Sequence, residues 1–237
     1  MIRSLLKGME MPCSSSFSSL LSAQRCLHAL RLDPKYGART VRKLLLSTNN
    51  PDKVREYSQI LEGLPFEIVT PSSLGLSLEV EETGHTFAEN AALKARAFHQ
   101  ATGLLSLADD SGLEVDALGG KPGVLSARYE GLPNGERKNR LLLKQMEGVP
   151  WEKRDCRYVA EIAIVDESGK LYRCRGELSG KIAWEPKGTG GFGFDPIFYV
   201  PRYHCTVAEM SPEQKNRISH RGKAGRCARR ILEKLLG

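Results

Sequence analysis

The sequence predicts an α/β fold in which a mixed central sheet is flanked by helices. Three observations carry that expectation. From residue 43 onward short apolar runs alternate with stretches of helical period, two long alternating runs are joined by a single tight turn, and the 237-residue chain is 41% hydrophobic, enough to bury a sizeable core. Strands separated by helices favour parallel neighbours, whereas the hairpin adds an antiparallel pair, so the sheet is expected to be mixed.

Residues 44–48 (LLLST) form the first apolar strand. In the following NNPDKVREYSQIL, Asn50 can cap a helix, Pro51 suits its first position, and Val54, Tyr57 and Leu61 fall on one face. Residues 66–70 (FEIVT) read as a second strand, and TFAENAALKARAFHQATG as a helix opened by a Thr86/Glu89 capping box and closed near Gly103. The run LLSLADD then reads as a strand ending at Asp109 and Asp110. Beyond the turn GGKPG, NGERKNRLLLKQM is expected to be a helix capped by Asn134, followed by strands RYVAEIAIV and KLYRCRGEL around the turn ESGK. SPEQ at 211–214 is another capping box, and a last helix starting near Ser219 aligns Ala224, Cys227, Ala228, Ile231 and Leu235 on one stripe. No internal repeat is visible.

The first 42 residues stand apart: they are rich in Ser and Arg and nearly free of acids, which matches an organellar transit peptide, a disordered extension, or a start codon placed too far upstream. Residues 43–237 are then the functional domain. A cytoplasmic location is expected, or an organellar one if the leader targets. The net charge of +7 invites a nucleic-acid reading, but residues 44–214 hold nineteen Lys/Arg against twenty-five Asp/Glu, so the basic excess lies at the two ends. A nucleic-acid surface is therefore not expected, and a local anion site near the C-terminus is. Six cysteines without paired metal-ligand spacing argue against a zinc site and against a disulfide framework, leaving reduced thiols, mostly in the core. No apolar stretch approaches the ~20 residues that span a bilayer.

Adjacent carboxylates at Asp109 and Asp110 in an apolar strand are costly unless cations or strong donors face them. Four polar stretches at element ends offer partners. STNNPDK (47–53) places helix N-terminal amides and Lys53 where an anion could sit. EVEETGHTFAEN carries Glu79, Glu81 and Glu82, which with the two aspartates supply the hard oxygen ligands magnesium prefers. EPKGTGGFGFDPIF is dense in glycine, allowing close backbone approach, with Phe192 or Phe194 as a stacking ring for a base; it lacks the Walker spacing. EQKNRISHRGKA gathers Lys215, His220 and Arg221 around a helix start, a setting suited to phosphate.

In this order, TxNxxK, EETGxTFxENAxxKA, ADDSGLxVDxLGGxPGxxSARY, GTGGFG[FY]DPIF and ISHRGxA resemble the inosine/xanthosine triphosphate pyrophosphatase family over about residues 43–236. The resemblance implies hydrolysis of non-standard purine nucleoside triphosphates (ITP, dITP, XTP) to the monophosphate and pyrophosphate. It implies a two-lobed fold with the nucleotide in the cleft, Mg2+ as cofactor and a homodimer. The residues it marks are Thr48, Asn49, Asn50, Pro51, Asp52 and Lys53 as the phosphate-contacting loop, and Glu81 and Asp110 as metal ligands. Asp110 is also marked as general base, Ser111 as a substrate contact, Phe192, Gly193, Phe194 and Asp195 as the base pocket, and Lys215, His220 and Arg221 as further nucleotide contacts. Asn49 departs from the pattern, standing where many members carry glycine; Asn tolerates positive φ better than most residues. The alternatives are a pyrophosphatase for other modified nucleotides and a nucleotide-binding regulator without turnover.

Overall fold

The computed structural model describes residues 41–133 and 135–237. The leader reading up to residue 40, Cys13, Cys26 and the expected cap Asn134 lie outside the described residues. Seven strands form one sheet: β1 (Arg42–Leu46), β2 (Phe66–Val69), β3 (Leu105–Val115), β4 (Asp155–Val165), β5 (Leu171–Ile182), β6 (Phe198–Val200) and β7 (Cys205–Thr206), in the order β2-β1-β3-β4-β5-β6-β7. β1 runs parallel to β2 and β3, and every other pair is antiparallel, so the sheet is mixed. The helices are α1 (Pro51–Ile60), α2 (Phe87–Thr102), α3 (Glu136–Gln145), α4 (Pro212–Ile218) and α5 (His220–Lys234).

The caps follow the local chemistry. Asn50 accepts from the backbone N–H of Asp52 and Lys53, Thr86 and Glu89 complete both halves of their capping box, Gly103 closes α2 with φ 69°, and Ser211 and Gln214 form a second box before α4. At α3 the N-cap position is Gly135, with no side-chain cap bond. β6 and β7, three and two residues long, are too short to show periodicity in the sequence.

β3 does not end at the aspartates. It continues to Val115, paired with β4 from Ser106↔Val165 to Val115↔Cys156. The Asp-Asp-Ser-Gly run imitates a turn signal, but Leu113 and Val115 beyond it are fully buried and β4 offers a full-length partner. Asp109 and Asp110 are therefore mid-strand neighbours, and successive side chains point to opposite faces.

Those faces carry different cores. Leu107, Ile162 and Ile164 pack with Tyr57 of α1 and Ala224, Ala228 and Leu232 of α5. Ala108, Ala163 and Val165 pack against Ala91, Ala92 and Ala95 of α2, where small side chains let the helix lie close. Farther along the same strands Leu113, Val115 and Tyr158 join Leu142, Phe194 and Phe198 in a separate cluster. Each fully buried leucine here contributes roughly 1.5–3 kcal/mol. The chain passes from one set of clusters to the next at Asp109–Gly112.

One cysteine expectation is corrected: Cys174 of β5 and Cys227 of α5 form a disulfide, with Cα atoms 5.8 Å apart, while Cys156 and Cys205 are free thiols. Widely separated cysteines give no pairing signal in sequence; the packing of α5 on β5 brings these two together. Gly176 makes that packing possible, since a Cβ there would sit 2.6 Å from the Ala224 backbone nitrogen.

Candidate active site

The Asp109 side of β3 faces α1 and α5. Its carboxylate takes a hydrogen bond from Tyr57 Oη at 2.8 Å and from Ser111 Oγ at 3.0 Å, and an ion pair from Lys53 Nζ at 2.7 Å. Arg221 Nε lies 3.6 Å away. Burial opposes ionisation of Asp109, but Lys53 and Arg221 outweigh it and hold the carboxyl well below the usual carboxylate range. The same burial lowers the pKa of Lys53, with Asp109 offsetting part of the effect.

Asp110 faces α2 instead. Lys94 of that helix reaches its Oδ1 at 3.2 Å, Glu82 Oε1 at 2.8 Å and the Asp109 carbonyl at 2.9 Å, and Glu82 also pairs with Arg128 at 2.8 Å. Asp110 Oδ2 is buried with no hydrogen-bond partner. Burial raises the Asp110 pKa, and Lys94 and Lys53 offset it only in part. Adjacent residues thus have carboxyls pushed in opposite directions.

The loop before α1 brings two of its six marked residues to the cavity that Asp110 lines: Asn50 and Lys53 are in the wall, whereas Thr48, Asn49, Pro51 and Asp52 are not. Thr48 accepts from the Asn50 backbone at 3.2 Å, and Asn49 Oδ1 accepts from Ser72 N at 3.0 Å. Asn49 needs no positive φ, since Glu130 and His204 alone adopt it among the described non-glycine residues. Asn49 stitches the loop to its neighbour where a glycine would have supplied only backbone freedom.

Across the cavity, the 192–195 loop is pinned by Asp195. Its Oδ2 accepts from Phe192 N and from Lys215 Nζ, each at 2.8 Å, and its Oδ1 accepts from Tyr158 Oη at 3.1 Å. Lys215 also pairs with Glu56 at 2.7 Å. The half-buried Phe192 ring lies 4.7 Å from Lys215 Nζ and 4.8 Å from the Arg221 guanidinium, and it is the ring open to a flat ligand; Phe194 is 3% exposed and belongs to the core. Ser219 caps α5, placing His220 and Arg221 at its first turn. His220 stacks on Tyr158 at 4.5 Å, and burial, with Arg221 adjacent, keeps its pKa well below the ordinary value, so the ring is neutral. Arg221 donates to Ser111 Oγ at 2.7 Å and reaches Glu56 at 3.4 Å.

The cavity wall therefore unites Asn50, Lys53, Asp110, Ser111, Phe192, Gly193, Phe194, Asp195, His220 and Arg221. Lys215 is beneath Phe192 and outside that wall. Glu81 is exposed and also outside it, while its neighbour Glu82 is in it. Sequence reading missed Lys94, Glu56, Tyr57 and Tyr158. The first three repeat at helical spacing on the faces that carry Asn90 or Lys53, and that phase was the available signal; Tyr158 looked like any core tyrosine.

For a divalent cation, the unpaired Asp110 Oδ2 beside Glu82 is the fitting donor set. Among the described residues no group of three His, Cys, Asp or Glu side chains could hold a metal.

Residues 44–231 match the model of the Ham1 family. The chain is 49% identical over 194 residues to the dITP/XTP pyrophosphatase of Desulforamulus reducens, covering 81% of this chain and 96% of that protein. To the dITP/XTP pyrophosphatase of Bacillus subtilis it is 40% identical over 194 residues, covering 81% and 98%. Among solved structures, a HAM1 protein from Coxiella burnetii superposes with a TM-score of 0.74 at 38% identity, covering 81% of this chain and 99% of that one. A nucleoside-triphosphatase, dITP/XTP pyrophosphatase, from Mycobacterium abscessus gives 0.64 at 42% identity, covering 82% and 98%.

Proposed function

The chain belongs to the Ham1 family, and from that premise we propose that its cavity is the active site of a nucleoside triphosphate pyrophosphatase acting on non-standard purine nucleotides. It releases pyrophosphate from ITP, dITP and XTP and leaves the monophosphate, which removes these nucleotides from the pool. The single observation that carries the assignment of the site is the pair of unlike carboxylates at Asp109 and Asp110, paired with Lys53, Arg221 and Lys94, of which Asp110, Lys53 and Arg221 line a cavity that also holds Phe192 and His220.

Attack of water on the α-phosphorus needs a base, fixed cations for the phosphate oxygens, and a bound, oriented base moiety. Asp110 accepts the water proton: it lines the cavity, its Oδ2 has no hydrogen-bond partner, and its raised pKa makes it a stronger base than an ordinary carboxylate. Asp109 is spent on Lys53 and Arg221 and holds both cations in place. Lys53, Asn50 and Arg221 meet the triphosphate, with Thr48, Asn49, Pro51 and Asp52 shaping that loop and Ser111 held by Arg221. Phe192 stacks on the purine, and Gly193, Phe194, Asp195, Lys215 and His220 form and brace its pocket. The 6-oxo group is an acceptor where adenine presents a donor; backbone N–H groups of the 192–195 loop or His220 are the candidate donors for it, and adenine would leave such donors unpaired.

Asp110 and the Glu81–Glu82 pair would hold magnesium, Glu82 from the cavity wall. When bound, the ion supplies charge neutralisation at the phosphate oxygens. Residues 43–237 are proposed as the catalytic domain, working as a homodimer; the resemblance supports both. No helix of the described residues is long and apolar enough to cross a membrane.

The purified protein, assayed for pyrophosphate release with ITP, dITP, XTP, GTP and ATP, tests the function: turnover of the first three well above ATP is expected, and a preference for ATP would overturn it. Deleting residues 1–42 is expected to preserve turnover, and light scattering is expected to give twice the chain mass.

A further inference from the structure

Reading the 6-oxo group separates hypoxanthine and xanthine from adenine but not from guanine, which carries the same oxygen. An enzyme that removes xanthine nucleotides and spares GTP needs a device at position 2 of the purine, where xanthine has a carbonyl, hypoxanthine a C–H and guanine an amino donor.

Lys138 of α3 supplies a candidate. A lysine 1% exposed is unusual, because the ammonium loses its water. Its Nζ donates to the Ser126 carbonyl at 2.7 Å and lies 4.6 Å from the centre of the Phe194 ring. Ser126 is itself fixed, its Oγ accepting from Leu113 N at 2.8 Å and donating to Gly123 O at 2.6 Å. Lys138, Ser126 and Phe194 all line the same cavity as Phe192 and His220. The ammonium is thus carried on a helix and held against a ring of the loop assigned to the base.

We propose that Lys138 reads position 2 of the bound purine and is a specificity-determining residue that favours xanthine and disfavours guanine. An ammonium can only donate. Xanthine offers it O2, and because its N3–H is acidic enough to dissociate near neutral pH, that oxygen shares a negative charge. Guanine instead turns an N–H toward the ammonium, leaving donors facing donors in a site with little water to relieve them. Burial pulls the Lys138 pKa down to about 8, which leaves the group mainly protonated at neutral pH. A charge-assisted hydrogen bond in such a site corresponds to roughly ten- to a hundredfold in kcat/KM.

This inference rests on the purine lying against the 192–195 loop, as proposed above. The test compares kcat/KM for XTP, ITP and GTP in the wild type and in Lys138→Met, together with calorimetric affinities for XMP, IMP and GMP. The expected result is a wild-type order of XTP above ITP above GTP, and a fall of at least about tenfold in the XTP-to-ITP ratio for the variant, with the GTP-to-ITP ratio rising. An equal loss for all three bases means a structural role and overturns the proposal, as does an unchanged ratio. If the variant does not fold, the wild-type order decides, and GTP handled as well as ITP sinks the idea. If no triphosphate yields pyrophosphate, the pyrophosphatase reading falls by itself, and the monophosphate affinities still decide the role of Lys138.

Discussion

On the α1/α5 face of β3, Asp109 is saturated: a tyrosine, a serine, a lysine and an arginine surround it. On the α2 face, one residue later, Asp110 shares a single lysine with Glu82 and keeps one oxygen unpaired. The same side chain on the same strand is ordinary architecture on one face and chemically poised on the other. The difference lies in how many donors each helix brings, and β-strand alternation lets two adjacent residues take the two roles.

The largest expected effect breaks the poised face. Asp110→Asn removes the base without changing shape, and turnover is expected to fall roughly 10²–10⁴-fold while ITP binding stays measurable. Turnover within tenfold of the wild type would remove Asp110 from the proposed role. Next, breaking the saturated face costs stability. Asp109→Asn leaves Lys53 without a carboxylate in a buried site and Arg221 with Glu56 alone, and about 3–5 kcal/mol of unfolding free energy is expected to be lost at pH 7. Because the Asp109 pKa is depressed on folding, its contribution is present above the ordinary value near ~4 and is lost as pH falls through the folded value. Urea unfolding at pH 7 and pH 3 is therefore expected to show the gap between variant and wild type narrowing in acid. A gap independent of pH would mean that the pairs do not carry the effect.

Lys94→Met sharpens the contrast from the other side. It withdraws the cation that offsets burial of Asp110, so that carboxyl moves further up and Glu82 next to it keeps Arg128 alone as its cation. A loss of roughly ten- to a hundredfold in kcat/KM is expected, larger at acid than at alkaline pH, because more of Asp110 is protonated there. A loss equal at all pH values would point to packing of α2 alone.

Much of this contrast was legible before any coordinates. Periodicity and caps located β1, α1, α2, α4 and α5, since Asn50, Thr86, Ser211 and Ser219 satisfy helix N-termini by local chemistry that needs no tertiary context. The parts that escaped depend on long-range packing. Asp-Asp-Ser-Gly imitates a turn, so the sequence reading ends β3 at Asp110, and only its pairing with β4 carries it to Val115. The Cys174–Cys227 bond exists because α5 lies on β5. The motifs named Asp109 and Asp110 together without ranking them. Counting the partners on each face separates them, and those partners come from helices about fifty residues before, about fifteen residues before and more than a hundred residues after the strand position.

The smallest expected effect concerns the second carboxylate of the poised face. Glu81 and Glu82 are indistinguishable in sequence, but Glu82 is in the cavity wall, bonded to Lys94 and Arg128, with its pKa lowered because those cations outweigh the cost of burial. Glu81 is exposed. If proximity to Asp110 decides which acid serves the cation, Glu82→Gln raises the magnesium concentration for half-maximal rate by roughly tenfold, since ligand charge sets affinity at such sites, and Glu81→Gln raises it less. Substitution by glutamine keeps volume and hydrogen bonding, so a shift in the magnesium titration at unchanged saturating rate isolates the charge. The reverse order would assign the ligand to Glu81 and require the 79–82 segment to turn on binding. The comparison would then lie between a rigid face at Asp109 and an adjustable one at Asp110.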